Sequence, residues 1–321
     1  MRNKKRSADG FFGVLDNARG RRQKTAGAVA RRILEAVAVV FLLGVAVVFL
    51  SPIVLTFTNS LMSSSELSSN YGKILSSVTT AGSYVAERVN LKLIPDIVSF
   101  SQYSTVLLRS PDYLLKFWNS VILVVPIVVF QTVLALFSSY GFARFDTKPR
   151  SVLFFIYIIL MLMPYQVTLV PNYMVADFLG ILNTRWAIIL PGIFSPFAVF
   201  ILTKFMRRIP SSVIEAAKLD GAGEWQIFSR ICAPMAGSIV VSVAILVFID
   251  YWNMVEQPLV LLTGDALSLH PLSVFLSKIN AGDAGIAFAV ASVYMIIPLL
   301  IFLYCEDRLV EGVSYAGGLK G

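Results

Sequence analysis

The sequence predicts an all-α integral membrane protein built from six transmembrane helices. Hydrophobic residues make up 57% of the chain and charged residues only 14%, whereas a typical soluble domain is about 25% charged. Six uncharged apolar runs are each long enough to cross a bilayer core of about 30 Å as a helix. The runs are Val37–Phe57, Phe117–Ala143, Ser151–Ala176, Trp186–Thr203, Ile231–Ile249 and Ala284–Cys305.

The first apolar run follows a basic segment, an arrangement that it shares with secretory signal peptides. Its uncharged stretch, Val37–Phe57, is longer than the signal-peptide core of about 7–15 residues. No small-residue cleavage site follows it, because the next residues are Thr58, Asn59 and Ser60. We therefore expect a retained transmembrane helix here.

The distribution of basic residues predicts the orientation in the membrane. Ten of the 27 Lys and Arg residues lie in residues 1–32. With the N-terminus inside, the inner segments hold 20 of these residues and the outer segments hold 7. Basic residues beside transmembrane helices stay on the cytoplasmic side and attract anionic lipid. We therefore expect an N-in, C-in membrane protein, with lipid rather than nucleic acid as the partner of its basic charge.

This orientation divides the chain into segments on the two sides of the membrane. The expected segments are a cytoplasmic basic tail at 1–32, the first transmembrane helix at 33–58, an extracytoplasmic loop at 59–116, a five-helix core at 117–305 with a cytoplasmic helical connector at 211–223, and a cytoplasmic tail at 306–321.

Ionisable residues inside transmembrane helices usually mark proton or ion relays. The six runs contain no Asp, Glu, Lys, Arg or His, which argues against an ion-coupled carrier and against an intramembrane enzyme. The only histidine, His270, lies in a polar connector, where we expect a solvated residue rather than a metal ligand. The pattern fits a conduit that takes its energy from another subunit, and a scaffold or receptor is the alternative from a different class.

The connector between the fourth and fifth runs is the most informative segment. Ser212 and Glu215 have the S-x-x-E spacing of a capping box, and Pro210 precedes them, so a helix should start here. Asp220 and Gly221 should end it after two to three turns. From the residues alone, this helix fits docking to a partner and lying on the membrane surface equally well.

The same connector carries residues at a characteristic spacing. In order they are Glu215, Ala216 and Ala217, then Gly221 after three residues, Ile231 after nine more, and then Ala233 and Pro234. This spacing resembles the E-A-A signature (E-A-A-x3-G-x9-I-x-L-P) of bacterial ATP-binding-cassette (ABC) importer permeases. Only Ala233 departs from that signature, because it stands where the family has Leu.

The resemblance implies a type I ABC importer permease fold and a coupling helix at 211–223. It implies that Glu215, Ala216, Ala217 and Gly221 contact a separate ATPase subunit. ATP and Mg then belong to two partner ATPases and no cofactor to this chain, which agrees with the absence of a G-x4-G-K-[ST] loop from the sequence. The chain is therefore expected to be a transport subunit without its own ATPase site.

Further stretches resemble the carbohydrate-uptake branch, in particular the smaller maltose-type permease subunit. They are Asn119-Ser120, Tyr140–Phe145, Leu179–Thr184, Tyr251–Asn253 and the tail Glu311–Gly321. The resemblance implies import of a sugar or oligosaccharide, together with a related but non-identical second permease and an extracytoplasmic solute-binding protein. Import of another small solute, such as an amino acid or a phosphate ester, is the alternative in the same class.

Polar and aromatic residues near the membrane predict a substrate pathway. Flat aromatic faces stack on sugar rings, and carboxylates and amides bind hydroxyls. An interfacial aromatic belt with polar caps is the other interpretation of the residues that end the fifth run. The candidate pathway residues are Tyr165, Gln166 and Asn172 in the third run and Asp250, Tyr251, Trp252 and Asn253 at the end of the fifth.

Overall fold

The described part of the chain is helical throughout. The computed structural model describes residues 3–79, 92–145, 147–278 and 284–317. Within these ranges it contains α-helices, short π- and 3₁₀-helical turns and no β-strand, which confirms the predicted all-α class. The expected loop at 59–116 and the expected tail at 306–321 lie partly outside the described residues.

The α-helices are numbered here in chain order. They are α1 (Asn3–Ser60), α2 (Ser64–Thr79), α3 (Ser101–Ser104), α4 (Pro111–Arg144), α5 (Lys148–Leu162), α6 (Tyr165–Phe178), α7 (Trp186–Gly192), α8 (Pro196–Met206), α9 (Ser211–Leu219), α10 (Glu224–Ile227), α11 (Ala233–Met235), α12 (Gly237–Trp252), α13 (Glu256–Leu261), α14 (Leu272–Ser277) and α15 (Ala284–Gly317). π-helical turns lie at Thr105–Arg109 and Phe228–Cys232, and a 3₁₀ helix lies at Gly264–Leu269.

Four described helical segments are each long and apolar enough to cross a membrane, and the number rises to six if each of two bent pairs is one span. The four single segments are Arg32–Ser60, Pro111–Arg144, Trp186–Met206 and Gly285–Asp307. The bent pairs are α5 with α6, at 106°, and Glu224–Met235 with α12, at 71°. Each pair is either one broken span or a re-entrant loop, so the six-span count stays a prediction.

Prolines account for two of the interruptions. Pro164 separates α5 from α6, and Pro196 begins α8 after the short break that follows α7. Proline lacks a backbone N–H and clashes with the preceding turn, so a helix bends or ends there. Ser195 caps α8, because its Oγ accepts a hydrogen bond from the Ala198 N–H at 3.3 Å. The third run is therefore interrupted by the bend at Pro164, and the fourth by a short break within the single candidate span Trp186–Met206.

Large apolar side chains remain exposed along the candidate spans. Phe49 is 76% exposed on α1, Phe130 is 53% exposed on α4, and Phe155 is 62% exposed on α5. The most apolar window of the first span has no buried residue at all. A soluble protein rarely leaves such continuous apolar surfaces open to water, so lipid or another subunit must cover them.

The core of the second compact unit, Asn59–Gly321, forms where α4 packs against α8 and α12, and α12 packs against α15. Leu123 and Ile127 of α4 and Leu202 of α8 are fully buried in it. Gly192 of α7 approaches α4 so closely that a Cβ there would lie 3.0 Å from the Ile127 side chain. This packed centre positions the helices that carry the candidate functional regions.

Buried hydrogen bonds fix the connector between α12 and α15 to the start of α4. Asn119 Nδ2 donates to the Ser268 carbonyl at 2.8 Å, and the Leu272 N–H donates to Ser120 Oγ at 2.9 Å. The expectation of a solvated His270 is wrong. Its side chain is 5% exposed, and its Nε2 lies 2.8 Å from the Leu262 carbonyl, because the connector folds back and needs partners for its buried carbonyls.

Candidate functional site

The connector helix α9 forms as predicted but is capped differently. It runs over Ser211–Leu219, two to three turns, and its N-cap is Pro210 with no side-chain cap. The predicted capping box is therefore wrong: the helix starts one residue before Ser212, which places that hydroxyl inside the first turn. A side chain instead caps the next helix, α10, where the Gly223 N–H donates a hydrogen bond to Gln226 Oε1 at 3.0 Å.

The end of α9 explains why a glycine stands at position 221. Gly221 has φ +83°, a left-handed conformation that glycine adopts without strain. The Ala222 N–H donates to the Ala217 carbonyl at 2.9 Å, and the Gly221 N–H donates to the Lys218 carbonyl at 3.1 Å. These two bonds form a Schellman motif. The motif glycine is thus needed for the backbone turn.

One face of α9 lies on the bundle and the other is free. Ile214 is 6% exposed and belongs to the core, and Ala217 is half-buried. Glu215, Ala216 and Gly221 are exposed. The structure therefore brings the four motif residues onto one short surface element.

Two apolar side chains beside the motif were missed by sequence reasoning. Leu219 is 89% exposed at the end of α9, and Trp225 is 66% exposed on α10. Exposed apolar residues of this size beside small residues are typical of a protein-binding surface. The signal in the sequence that could have revealed them is their position next to the Asp220-Gly221 turn.

Polar contacts connect this segment to α4. Lys218 Nζ lies 2.8 Å from Glu224 Oε1, and the Tyr140 hydroxyl donates to Glu224 Oε2 at 2.6 Å. The Phe228 ring stacks on Phe137 with ring centroids 4.9 Å apart. Sequence reasoning missed Lys218 and Glu224 as connecting residues. These contacts join α9, through Glu224, to a candidate transmembrane helix.

A second region is a cavity of about 440 Å³ between α5, α6, α7, α8, α12 and α13. Three predicted pathway residues line it, namely Tyr165, Asn172 and Tyr251. The structure also places Gln257 of α13 in the wall, and its Oε1 is buried with no hydrogen-bond partner among the described residues. Sequence reasoning missed Gln257, because nothing in its local pattern distinguishes it from a surface amide.

The other predicted pathway residues lie outside this cavity. The Gln166 amide donates to the Glu256 carboxylate at 3.3 Å, and the Asn253 amide donates to the Ile249 carbonyl at 2.8 Å. Asp250 is exposed. Trp252 is 1% exposed and stacks on Phe248 and Tyr294. The cavity thus collects three of the seven candidates, and Trp252 packs in the core.

The described residues offer no obvious metal centre. No group of three or more His, Cys, Asp or Glu side chains among them could hold a metal ion. The chemistry that the arrangement supports is hydrogen bonding and apolar contact at the cavity, together with protein–protein contact at the α9 surface.

Comparison with known proteins identifies the class. Residues 131–311 match the family described as "Binding-protein-dependent transport system inner membrane component". The chain belongs to this family of permeases, the multi-pass plasma-membrane subunits of ABC importers, and is not itself the ATP-hydrolysing enzyme.

Relatives and a solved structure agree with this assignment. The chain is 29% identical to the arabinooligosaccharides transport system permease protein AraQ of Bacillus subtilis (strain 168), over 77% of this chain and 88% of AraQ. It is 32% identical to the diacetylchitobiose uptake system permease protein NgcG of Streptomyces coelicolor, over 62% and 67% of the two chains.

A chain from a solved bacterial ABC transporter involved in the import of the acidic polysaccharide alginate has the same fold. The TM-score is 0.67 at 24% sequence identity, and the match covers 86% of this chain and 96% of that chain.

Proposed function

We propose that this chain forms, with a related but non-identical permease, the membrane pathway of an importer for sugars or oligosaccharides. Two separate ATPase subunits that bind ATP and Mg drive it, and an extracytoplasmic solute-binding protein delivers the substrate. The observation that carries the proposal is the exposed motif surface of α9, which is attached to α4 through Lys218, Glu224 and Tyr140. The names of the relatives support a carbohydrate substrate.

The proposed topology has six spans with both termini in the cytoplasm. In this arrangement residues 1–32 and 306–321 are cytoplasmic, residues 59–116 are extracytoplasmic, and the core at 117–305 includes the two bent pairs as spans. The excess of Lys and Arg in the inner segments supports this orientation. The connector at 211–223 then faces the cytosol, where an ATPase can bind.

In the proposed mechanism, Glu215, Ala216, Ala217 and Gly221 form the contact with an ATPase subunit. The small side chains allow close approach, and Glu215 supplies a charge for recognition. ATP-driven closure of the ATPases moves α9, and the contacts of Glu224 transmit the movement to α4. Leu219 and Trp225 add apolar area to the same contact.

The cavity is the proposed substrate-contacting part of this chain. Tyr165, Asn172 and Tyr251 supply hydroxyl and amide groups there, and Gln257 joins them. From the sequence, Gln166, Asp250, Trp252 and Asn253 remain proposed pathway residues, although none of them lines this cavity. The second permease would complete the pathway.

Purification in mild detergent tests the proposal. We expect two ATPase subunits and a second permease to co-purify, and the ATPase rate to rise when binding protein and oligosaccharide are added. Uptake by proteoliposomes separates the alternatives: transport of amino acids or phosphate esters, with none of oligosaccharide, would replace the sugar assignment. Purification of a chain free of any ATPase from actively transporting membranes would contradict the proposal.

A further inference from the structure

The cavity presents hydrogen-bonding groups without charge. None of the described side chains that line it is Asp, Glu, Lys, Arg or His. The Tyr165 hydroxyl lies within hydrogen-bonding reach of the Asn172 and Gln257 side chains, and the buried Gln257 Oε1 has no partner among the described residues. A buried acceptor without a donor is unfavourable, so this wall favours a ligand that brings hydroxyl groups.

Two other hydroxyls of the cavity already have partners inside the protein. Thr168 Oγ1 donates to the Tyr165 carbonyl at 2.8 Å, and Ser195 Oγ caps α8. The Tyr251 hydroxyl makes only a long contact, 3.4 Å, with the Gly192 carbonyl. The other polar groups of the wall are two phenols and two amides, none of which carries a formal charge.

The rest of the wall is apolar and partly aromatic. Phe194 and Phe197 line it together with Met161, Met163 and Pro191. Flat apolar surfaces beside a few fixed polar groups suit the C–H faces and the hydroxyl edges of sugar rings.

Carboxylates flank the cavity, and no Lys or Arg is among the described residues that line it. Asp250 directly precedes Tyr251, and Glu256 directly precedes Gln257, so each carboxylate is next in the chain to a residue of the wall. Glu256 accepts two long hydrogen bonds from Gln166, at 3.3 and 3.4 Å. The field at the polar wall is therefore negative, and an incoming anion would meet repulsion there.

We infer that this cavity selects uncharged oligosaccharides against oligosaccharides that carry carboxylates. The inference rests on the proposed function, since it specifies the substrate class of the same pathway. A uronate bound here would lose its hydration and find neither Arg nor Lys on the described wall, and both of those residues are the usual partners of carboxylates. The names of similar proteins leave this point open, because they include both neutral sugars and the acidic polysaccharide alginate.

Binding to the permease pair, without the solute-binding protein, tests the inference directly. The full chain and its partner permease are placed in lipid nanodiscs and titrated with maltotriose, cellotriose and trigalacturonate. We expect at least one neutral trisaccharide to bind about tenfold or more tightly than trigalacturonate. Equal or tighter binding of trigalacturonate, or no binding of any of the three, would overturn the inference.

Uptake by the complete transporter distinguishes a failure of this inference from a failure of the proposed function. Proteoliposomes that import oligosaccharide while the permease pair shows no preference for neutral sugar would leave the function standing and reject the inference. Proteoliposomes that import neither neutral nor acidic oligosaccharide would reject the proposed function itself.

Variants of the flanking carboxylates locate the origin of the preference. Asp250→Asn combined with Glu256→Gln should reduce the ratio of neutral to acidic binding about threefold or more. The control Asp265→Asn removes one carboxylate charge in the 3₁₀ helix Gly264–Leu269, outside the cavity wall, and should leave the ratio unchanged.

Inside the cavity, Gln257→Glu should raise the same ratio, because it adds a negative charge to the wall. Assembly of each variant with the partner permease is checked by size-exclusion chromatography. A ratio unchanged in both the double variant and Gln257→Glu would overturn the inference, since the two changes act in opposite directions at one site.

Discussion

The α9 segment and the cavity are both candidate functional regions, yet the chain builds them in opposite ways. The α9 surface is one continuous stretch, and its shape is set by backbone hydrogen bonds that end at Gly221. The cavity is assembled from six helices, and its polar residues, from Tyr165 to Gln257, are far apart in the sequence. A contiguous, backbone-determined site leaves a spacing that can be read in the sequence, whereas a site made by tertiary packing does not.

The largest expected effect is at the α9 surface. Glu215→Lys reverses a charge at the proposed ATPase contact, which typically costs about 2–5 kcal/mol when the charge is buried at an interface. We expect uptake to fall at least about 30-fold while ATP hydrolysis continues, because the change uncouples the ATPases from the permease. Radiolabelled uptake and phosphate release, measured on the same proteoliposomes, check this.

Asp112→Lys, at the opposite end of α4 from Tyr140, is the matched charge reversal. It should change uptake less than about twofold, because the Asp112 side chain is 63% exposed and an ion pair there contributes little. Equal losses of uptake in Glu215→Lys and Asp112→Lys would contradict a specific role of the α9 surface in binding the ATPase.

Gln257→Leu tests the cavity and should have the next largest effect. The loss of an amide that binds a ligand hydroxyl costs about 0.5–1.5 kcal/mol, so the KM for uptake should rise about threefold to tenfold. Gln131→Leu removes a buried amide of α4 whose Oε1 is also unpartnered among the described residues and which does not line the cavity, so it should leave the KM nearly unchanged. A rise in KM for Gln131→Leu alone would place the substrate outside this cavity.

The backbone requirement at Gly221 gives a somewhat smaller effect. Gly221→Ala places a Cβ in the left-handed region at a cost of roughly 1 kcal/mol, and we expect about a fivefold loss of coupled uptake. Gly223→Ala is the matched control, because Gly223 has φ −73° and open space around its Cα. Similar uptake by the two variants would show that the Schellman turn is dispensable.

The smallest effect concerns the connection between α9 and α4. Lys218 and Glu224 are about half exposed, with 54% and 44% of their side chains accessible, so their pair contributes less than about 1 kcal/mol. A double-mutant cycle of Lys218→Met and Glu224→Gln, read from thermal unfolding in detergent, should give a coupling energy below that value. A larger coupling energy would indicate a rigid connection.

The sequence predicted the helical class, because the length of an apolar run is a local property of the chain. It placed α9 correctly but assigned the wrong cap, since Pro210 rather than Ser212 ends up at the N-cap. The burial of His270 could not be foreseen: its partner, the Leu262 carbonyl, reaches it only after the connector folds back.

Within the candidate pathway, only the tertiary structure distinguishes neighbours in the sequence. Tyr251 lines the cavity, whereas Trp252 points into the core and stacks on Phe248 and Tyr294. Adjacent helical residues point in directions about 100° apart, and a nearly uniformly apolar helix such as α12 gives no amphipathic pattern that could reveal which direction is inward.

Cross-linking from a single position tests the central claim most directly, namely that a separate ATPase binds the exposed surface of α9. Ala216→Cys is introduced after the native Cys232 and Cys305 are replaced by Ser, and the complete transporter is treated with a short bifunctional thiol reagent. We expect Ala216→Cys to cross-link to an ATPase subunit and to be protected from membrane-impermeant reagents added outside intact cells. Modification from outside, or the absence of any cross-link to an ATPase in an actively transporting complex, would contradict the claim.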